Sequence, residues 1–263
     1  LLFDMDLGIQ GKKVLVTGAG RGLGHSIALC LAQNGAQVAV TSRTEADLKQ
    51  LYEDMGGEQK GHCYKAIDLV PDGAPAHLVD ELKAKGFFPI DIIVHNMGGT
   101  LEINDPFCSV EDWRKVWRFN LEVAVELNLL LVPEMQKKKW GRIVLVSSIS
   151  SMENHGPVPY CSIKAALTAY ARSFGRVVAP DGIVVNAILP GAVFTKGGYW
   201  DEASTKKPEH VEKYLNERMA IKRFGHVDEI GQPVAFLCSQ HASFFTGSIV
   251  PVDGGQGRGF FGL

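Results

Sequence analysis

No uncharged apolar run approaches the length of a membrane-spanning helix, and the chain has neither a Cys-x-x-Cys pair nor a His-Glu-x-x-His motif. Its five cysteines, Cys30, Cys63, Cys108, Cys161 and Cys238, are scattered and odd in number. That pattern fits a reducing compartment and argues against a structural metal. An excess of charge of one sign is missing too. The formal net charge is -2, which supplies no broad basic field for nucleic acid or anionic lipid. Leu1–Leu7 is apolar at first sight, but Asp4 and Asp6 interrupt it and no basic region precedes it. It therefore reads as neither signal peptide nor anchor. These absences leave a cytoplasmic protein whose partners are small molecules or copies of itself.

What is present suits one large core. The 263 residues are 46% hydrophobic and include 29 glycines, which fits a single α/β domain. Short β-branched runs alternate with longer helical patterns. The candidate strands are 14–16, 37–40, 63–67, 90–94, 143–146, 183–188 and 247–252. Near-continuous apolar strands are what a parallel sheet covered on both faces requires. The expected fold is therefore α/β, a doubly wound parallel seven-stranded sheet with helices on both faces. Its ligand should sit at the carboxyl ends of the strands. Two regions depart from the alternation. Residues 109–139 read as one long helix ending in Lys137-Lys138-Lys139, and 192–224 reads as a lid-like insertion with a helix around 208–219.

Two local patterns carry chemistry. The first strand runs into Thr17-Gly18-Ala19-Gly20-Arg21-Gly22-Leu23-Gly24, and a helix is expected from about Gly22. Glycines there let the main chain approach a pyrophosphate, and the helix start offers free N–H groups. Tyr160 and Lys164 are four residues apart in a helical segment, so both side chains leave the same face. A phenol titrates near pH 10, and holding it ready to ionise near neutrality needs roughly 4 kcal/mol of local help. A neighbouring ammonium is the simplest source.

With these motifs the chain resembles the short-chain dehydrogenase/reductase family from Gly11 to Gly255. Thr17-Gly18-x-x-x-Gly22-x-Gly24, Asp68, Asn96-Met97-Gly98, Asn120, Ser147-Ser148, Tyr160-x-x-x-Lys164 and Pro190-Gly191 with Thr195 fall in the family's order. The resemblance implies a catalytic set of Asn120, Ser148, Tyr160 and Lys164. Ser148 is reached by counting along the strand, with Ser147 as its neighbour. For Asn120 the implied use is a helix bend whose carbonyl holds a water behind Lys164. The implied cofactor residues are Gly18, Arg21, Gly22, Leu23, Gly24, Ser42, Arg43, Asp68, Leu69, Asn96, Gly98, Tyr160, Lys164, Pro190, Gly191, Val193 and Thr195. Asp68 would meet the adenine, and the 190–195 loop the nicotinamide carboxamide. Met97 stands where alanine is usual, which predicts crowding on the adenosine side.

Val40-Thr41-Ser42-Arg43 ends the second strand without the acidic residue that would favour NAD. Arg43 and Arg21 flank the expected adenosine pocket with forked donors suited to a phosphate, so NADP(H) is the expected cofactor. The expected reaction reduces a ketone to a secondary alcohol, or reverses that step. The partner is a small-molecule carbonyl or alcohol, with Ser148 polarising the carbonyl and Tyr160 donating the proton. His155, Tyr199 and Trp200, with Asn154, Lys196 and Arg258 nearby, suit a polar keto sugar or sugar phosphate. The competing expectation for His155 and Trp200 is loop packing. Two other readings stay open: a 3-oxoacyl-[acyl-carrier-protein] reductase, disfavoured by Asp181 where such relatives usually carry a basic residue, and a non-catalytic NADP-binding regulator. An enoyl reductase would usually space Tyr and Lys more widely. The resemblance also implies a homotetramer or homodimer.

Overall fold

Val14, Val16, Ile92, Val94 and Val144 pack into one core cluster, while the alternate residues Leu15, Ile93, Ile143 and Val185 pack into a second. A strand presents successive side chains to opposite faces, so one sheet feeds two cores. In the computed structural model, which describes residues 5–153 and 156–259, seven strands form that sheet. They are β1 (Lys13–Thr17), β2 (Gln37–Ser42), β3 (Cys63–Ala66), β4 (Ile92–His95), β5 (Gly141–Val146), β6 (Ile183–Pro190) and β7 (Ile249–Val252). All pairings are parallel, in the order β3-β2-β1-β4-β5-β6-β7, with Leu15 opposite Ile93 in the central pair. The seven strands read from the sequence are all there. The order reverses between β1 and β4, which opens a crevice at their carboxyl ends.

The connecting helices are α1 (Gly22–Gln33), α2 (Glu45–Asp54), α3 (Ala74–Ala84), α4 (Val110–Trp117), α5 (Val123–Lys138), α6 (Ser150–Glu153), α7 (Val158–Val178), α8 (Tyr199–Lys206), α9 (Pro208–Arg218) and α10 (Asp228–Cys238). Helices α1, α2 and α10 cover one face of the sheet, and α3, α5 and α7 the other. Among the described residues no helix is long and apolar enough to cross a membrane.

The sequence pattern 109–139 is not one uniform helix. Ser109 caps α4 by accepting a hydrogen bond from Asp112 N at 3.1 Å, and Arg118–Glu122 then widens into a π-helical turn before α5 begins. The turn lies at Asn120, whose Nδ2 donates to Val116 O and Gly99 O, both at 2.9 Å. Such bulges cluster at functional sites. The three lysines at the end of α5 are engaged: Lys137 with Glu134, Lys138 with Asp91 at 2.7 Å, and Lys139 with Asp181.

Candidate active site

The site is assembled from the carboxyl ends of β1, β4 and β5 and the first turns of α7. Gly18 and Gly22 take φ of 65° and 59°, the left-handed region where a side chain is strained. A Cβ on Gly24 would sit 2.5 Å from Gly18 O, and one on Gly20 would sit 2.8 Å from Ser42 Oγ. The turn therefore closes on itself and on the end of β2, as a pyrophosphate cradle requires. Asn96 ties that turn to β4, its Nδ2 donating to Gly18 O at 2.9 Å and Thr17 O at 3.2 Å. Across the crevice, Thr195 Cγ2 lies 3.3 Å from where a Cβ on Gly22 would be. Pro190 and Gly191 carry the chain there from β6. Gly191 abuts Asp253, whose Cα would be 2.7 Å from an added Cβ.

Several cofactor expectations are sharpened. Arg21 and Arg43 are both exposed at the rim, and among the described residues neither makes an ion pair. Asp68 is exposed and starts a turn, accepting from Val70 N at 3.0 Å. Leu69 is 2% exposed in the core, and Leu23 and Val193 pack against the other cluster. The side chain of Leu69 thus turns away from the crevice, which leaves its main chain to face a ligand. Met97, expected on the adenosine side, is half-buried. It packs against the core beneath the site and lines a small cavity with Phe119, Asn120 and His95. A long flexible thioether fills that interior gap.

The four expected catalytic side chains come together. Lys164 is 3% exposed, donates to Val146 O at 3.0 Å, and holds its Nζ 5.6 Å from the Tyr160 ring centroid. Ser148 bonds to the Tyr160 phenol, whereas Ser147 turns inward to Lys164 O at 3.0 Å and Thr168 Oγ1 at 2.9 Å. The neighbouring serines therefore divide, one toward the phenol and one anchoring α7. Asn120 Oδ1 accepts from Gly99 N at 2.9 Å, so its side chain pins the loop after β4 at both peptide groups.

One electrostatic expectation is corrected. The phenol of Tyr160 titrates above its ordinary value because burial outweighs the bond from Ser148. Burial also holds Lys164 down to about 8 from an ordinary 10.5. Taking both groups out of water disfavours each charged form, so the phenol is kept protonated.

Gly98 is the tight point beside the catalytic side chains. A Cβ there would lie 2.6 Å from Asn120 Oδ1 and 2.9 Å from Lys164 Nζ. Gly98→Ala should cut turnover at least about tenfold and destabilise the protein by about 1–3 kcal/mol, as overpacking a tight site does. Matched melting curves and initial rates check this, and unchanged values for both would refute it.

The aromatic residues expected to face substrate form a cluster. Trp200 lies 4.3 Å from Tyr214, 4.7 Å from Phe224 and 4.9 Å from Tyr199 between ring centroids. Trp200 is thus packed among α8, α9 and Phe224, and Tyr199 is 62% exposed at its edge. Asn154 and His155 lie outside the described residues. Sequence reasoning missed two supports. Arg118 donates to Val70 O at 2.8 Å while bound to Glu126, tying the Asp68 turn to the π-helical segment. His95, pushed down to about 4 by burial, sits 2.9 Å from Asn128 Oδ1, and Asn128 Nδ2 reaches Tyr170 Oη at 3.0 Å. Only the unusual polar residues in apolar runs, Arg118 and Asn128, could have signalled these.

Comparison with known proteins places this arrangement. The family model described as enoyl-(acyl carrier protein) reductase matches residues 18–256. The 3-oxoacyl-[acyl-carrier-protein] reductase of Aquifex aeolicus is 33% identical over 257 residues, covering 96% of this chain and 100% of that protein. The structure of L-sorbose reductase from Gluconobacter frateurii, complexed with NADPH and L-sorbose, superposes with a TM-score of 0.89 at 28% identity, covering 97% of this chain and 100% of that one. A 7α-hydroxysteroid dehydrogenase complexed with NADH and 7-oxo glycochenodeoxycholic acid gives a TM-score of 0.86 at 29% identity, covering 98% and 99%.

Proposed function

The chain belongs to the short-chain dehydrogenase/reductase family, and from that premise we propose that it reduces a polar ketone, a keto sugar or sugar phosphate, to a secondary alcohol. It is an oxidoreductase whose cofactor is NADP(H). The observation that carries the reading is the meeting of Tyr160, Lys164, Ser148 and Asn120 beside the Gly18–Gly24 turn.

The glycine turn and α1 would hold the pyrophosphate, Arg21 and Arg43 the 2′-phosphate, and the Gly191–Thr195 loop the nicotinamide amide. The dinucleotide supplies hydride when bound. Ser148 orients and polarises the carbonyl oxygen, and Tyr160, kept neutral by burial, hands that oxygen its proton. Lys164 steadies the phenolate that results, and Asn120 fixes the loop behind it.

A keto sugar is supported by the aromatic surface of Tyr199 and by the polar rim at Lys196 and Arg258. The second reading, reduction of a 3-oxoacyl thioester, rests on the Aquifex relative. Docking an acidic carrier needs unpaired basic residues, and Lys137, Lys138 and Lys139 are already engaged with Glu134, Asp91 and Asp181. A non-catalytic regulator has no reason to keep all four catalytic positions filled. We further propose a homotetramer or homodimer in the reducing cytoplasm. Leu129 and Val177, each 72% exposed on α5 and α7, supply apolar surface for one interface, and all five cysteines are free.

Screening ketones, keto sugars and acyl thioesters with NADPH, read as cofactor absorbance loss, tests the substrate class. Turnover of the thioesters alone would replace the first reading by the second. NADPH should exceed NADH in catalytic efficiency by at least about tenfold, and Arg43→Ala should remove most of that margin, the size of a charge-assisted hydrogen bond. Equal use of the two cofactors by the unaltered protein would refute the roles given to Arg21 and Arg43.

A further inference from the structure

The segment after β7 is built to join parts of the site that the chain otherwise leaves far apart. Asp253 folds it by accepting from Gly255 N at 3.0 Å and Gly257 N at 2.7 Å. Gln256 then points inward. It is 6% exposed, its Oε1 accepts from Ala192 N at 2.7 Å, and its Nε2 donates to the Tyr214 hydroxyl. Farther on, the amides of Arg258 and Gly259 both donate to Glu153 Oε1, at 2.8 and 2.6 Å, and the Arg258 guanidinium donates to Glu217 O. One short stretch therefore touches α6, the loop after β6 and α9.

The two partners of Gln256 belong to different structural units. Ala192 lies in the loop that brings Thr195 opposite Gly22, and that loop is clamped to Gly225 from both sides, Gly225 N to Ala192 O and Phe194 N to Gly225 O, each at 2.9 Å. Tyr214 lies on α9, against Trp200 of α8. A carboxamide offers an acceptor and a donor at once. A carboxylate would lack the donor, and a thioether would lack the donor and accept only weakly.

We propose that Gln256 is a positioning residue that couples the Gly191–Thr195 loop to α8 and α9, so that a dinucleotide held by the loop also steadies those helices. This rests on the reading of the crevice as an NADP(H) site. The coupling runs through contiguous contacts: dinucleotide to loop, loop to Gln256, Gln256 to Tyr214, and Tyr214 to the aromatic cluster.

Amide hydrogen exchange on the full chain, with and without saturating NADPH, tests it in the unaltered protein, in Gln256→Met and in Tyr214→Phe. NADPH should slow exchange in both 190–198 and 199–218 of the unaltered protein. Tyr214→Phe, which removes only the hydroxyl, should keep the slowing in 190–198 and lose most of it in 199–218. Gln256→Met should lose it in 199–218 and weaken NADPH binding by about fivefold, the factor one net hydrogen bond supplies. A purely structural role would speed exchange in 199–218 with or without NADPH and leave the cofactor response intact. That outcome in the two variants overturns the coupling, and Tyr214→Phe decides alone if Gln256→Met does not fold. Absence of any NADPH response in the unaltered protein overturns the cofactor reading itself, and the coupling with it.

Discussion

Tyr160→Phe should lower turnover by at least about a hundredfold while leaving NADPH affinity within about a factor of two, because general acid catalysis by a placed group is worth about 10²–10⁴. The substitution keeps the ring, so the contact with Lys164 Nζ at 5.6 Å and the packing of α7 survive. What disappears is the hydroxyl that bonds to Ser148. The direction of the Tyr160 shift sharpens the test. Burial raises this phenol above its ordinary value of 10.0, so the proton donor for reduction is present throughout the neutral and mildly alkaline range. Loss of reductive activity on raising the pH should then begin near 8, where the buried ammonium of Lys164 loses its charge, and not near 10. A pH profile of kcat/KM for the unaltered protein reads this directly. Retained turnover in folded Tyr160→Phe would remove the phenol from the mechanism, and a profile flat to pH 10 would remove Lys164 as a required cation.

What could be read in advance divides along a physical line. The strands were legible because a sheet buried on both faces demands apolar runs, and the glycine turn because close approach of backbone demands missing side chains. Tyr160 and Lys164 were legible because helical periodicity alone puts them on one face. The remaining features depend on partners distant in sequence. Arg118 reaches Val70, and Gln256 reaches Ala192. No local pattern encodes those pairs. The packing of Met97 was hidden for the same reason: a residue following a strand can turn to the crevice or to the core, and the space beside Phe119 and His95 receives it. The direction of the Tyr160 shift was misjudged because the sequence shows the neighbouring cation but not the burial, and burial is the larger effect here.

Lys164→Met should abolish turnover and yet make the protein more stable, by about 1–3 kcal/mol at pH 7. The drop from 10.5 to about 8 means that folding at neutral pH carries a charged ammonium at a cost of about 3 kcal/mol. Its bond to Val146 O offsets part of the gain from removing that charge. The sign of the pH dependence follows from proton counts. Below pH 8 both folded and unfolded chains hold the proton, and the full penalty is present. Between 8 and 10.5 the unfolded chain binds more protons than the folded one, so the stability contributed by this site rises with pH. Above 10.5 both are neutral and the penalty has gone. The advantage of Lys164→Met should therefore be largest below pH 8 and shrink steadily toward pH 10.5, which paired denaturant titrations across that range measure. A methionine variant that is less stable at pH 7, or whose advantage does not narrow with pH, would show that the ammonium is not held against its solvation. A group kept at such a cost makes sense when a dinucleotide ribose and the phenolate left by proton transfer are what it is kept for. The same variant should accordingly bind NADPH more weakly, whereas Tyr160→Phe should not.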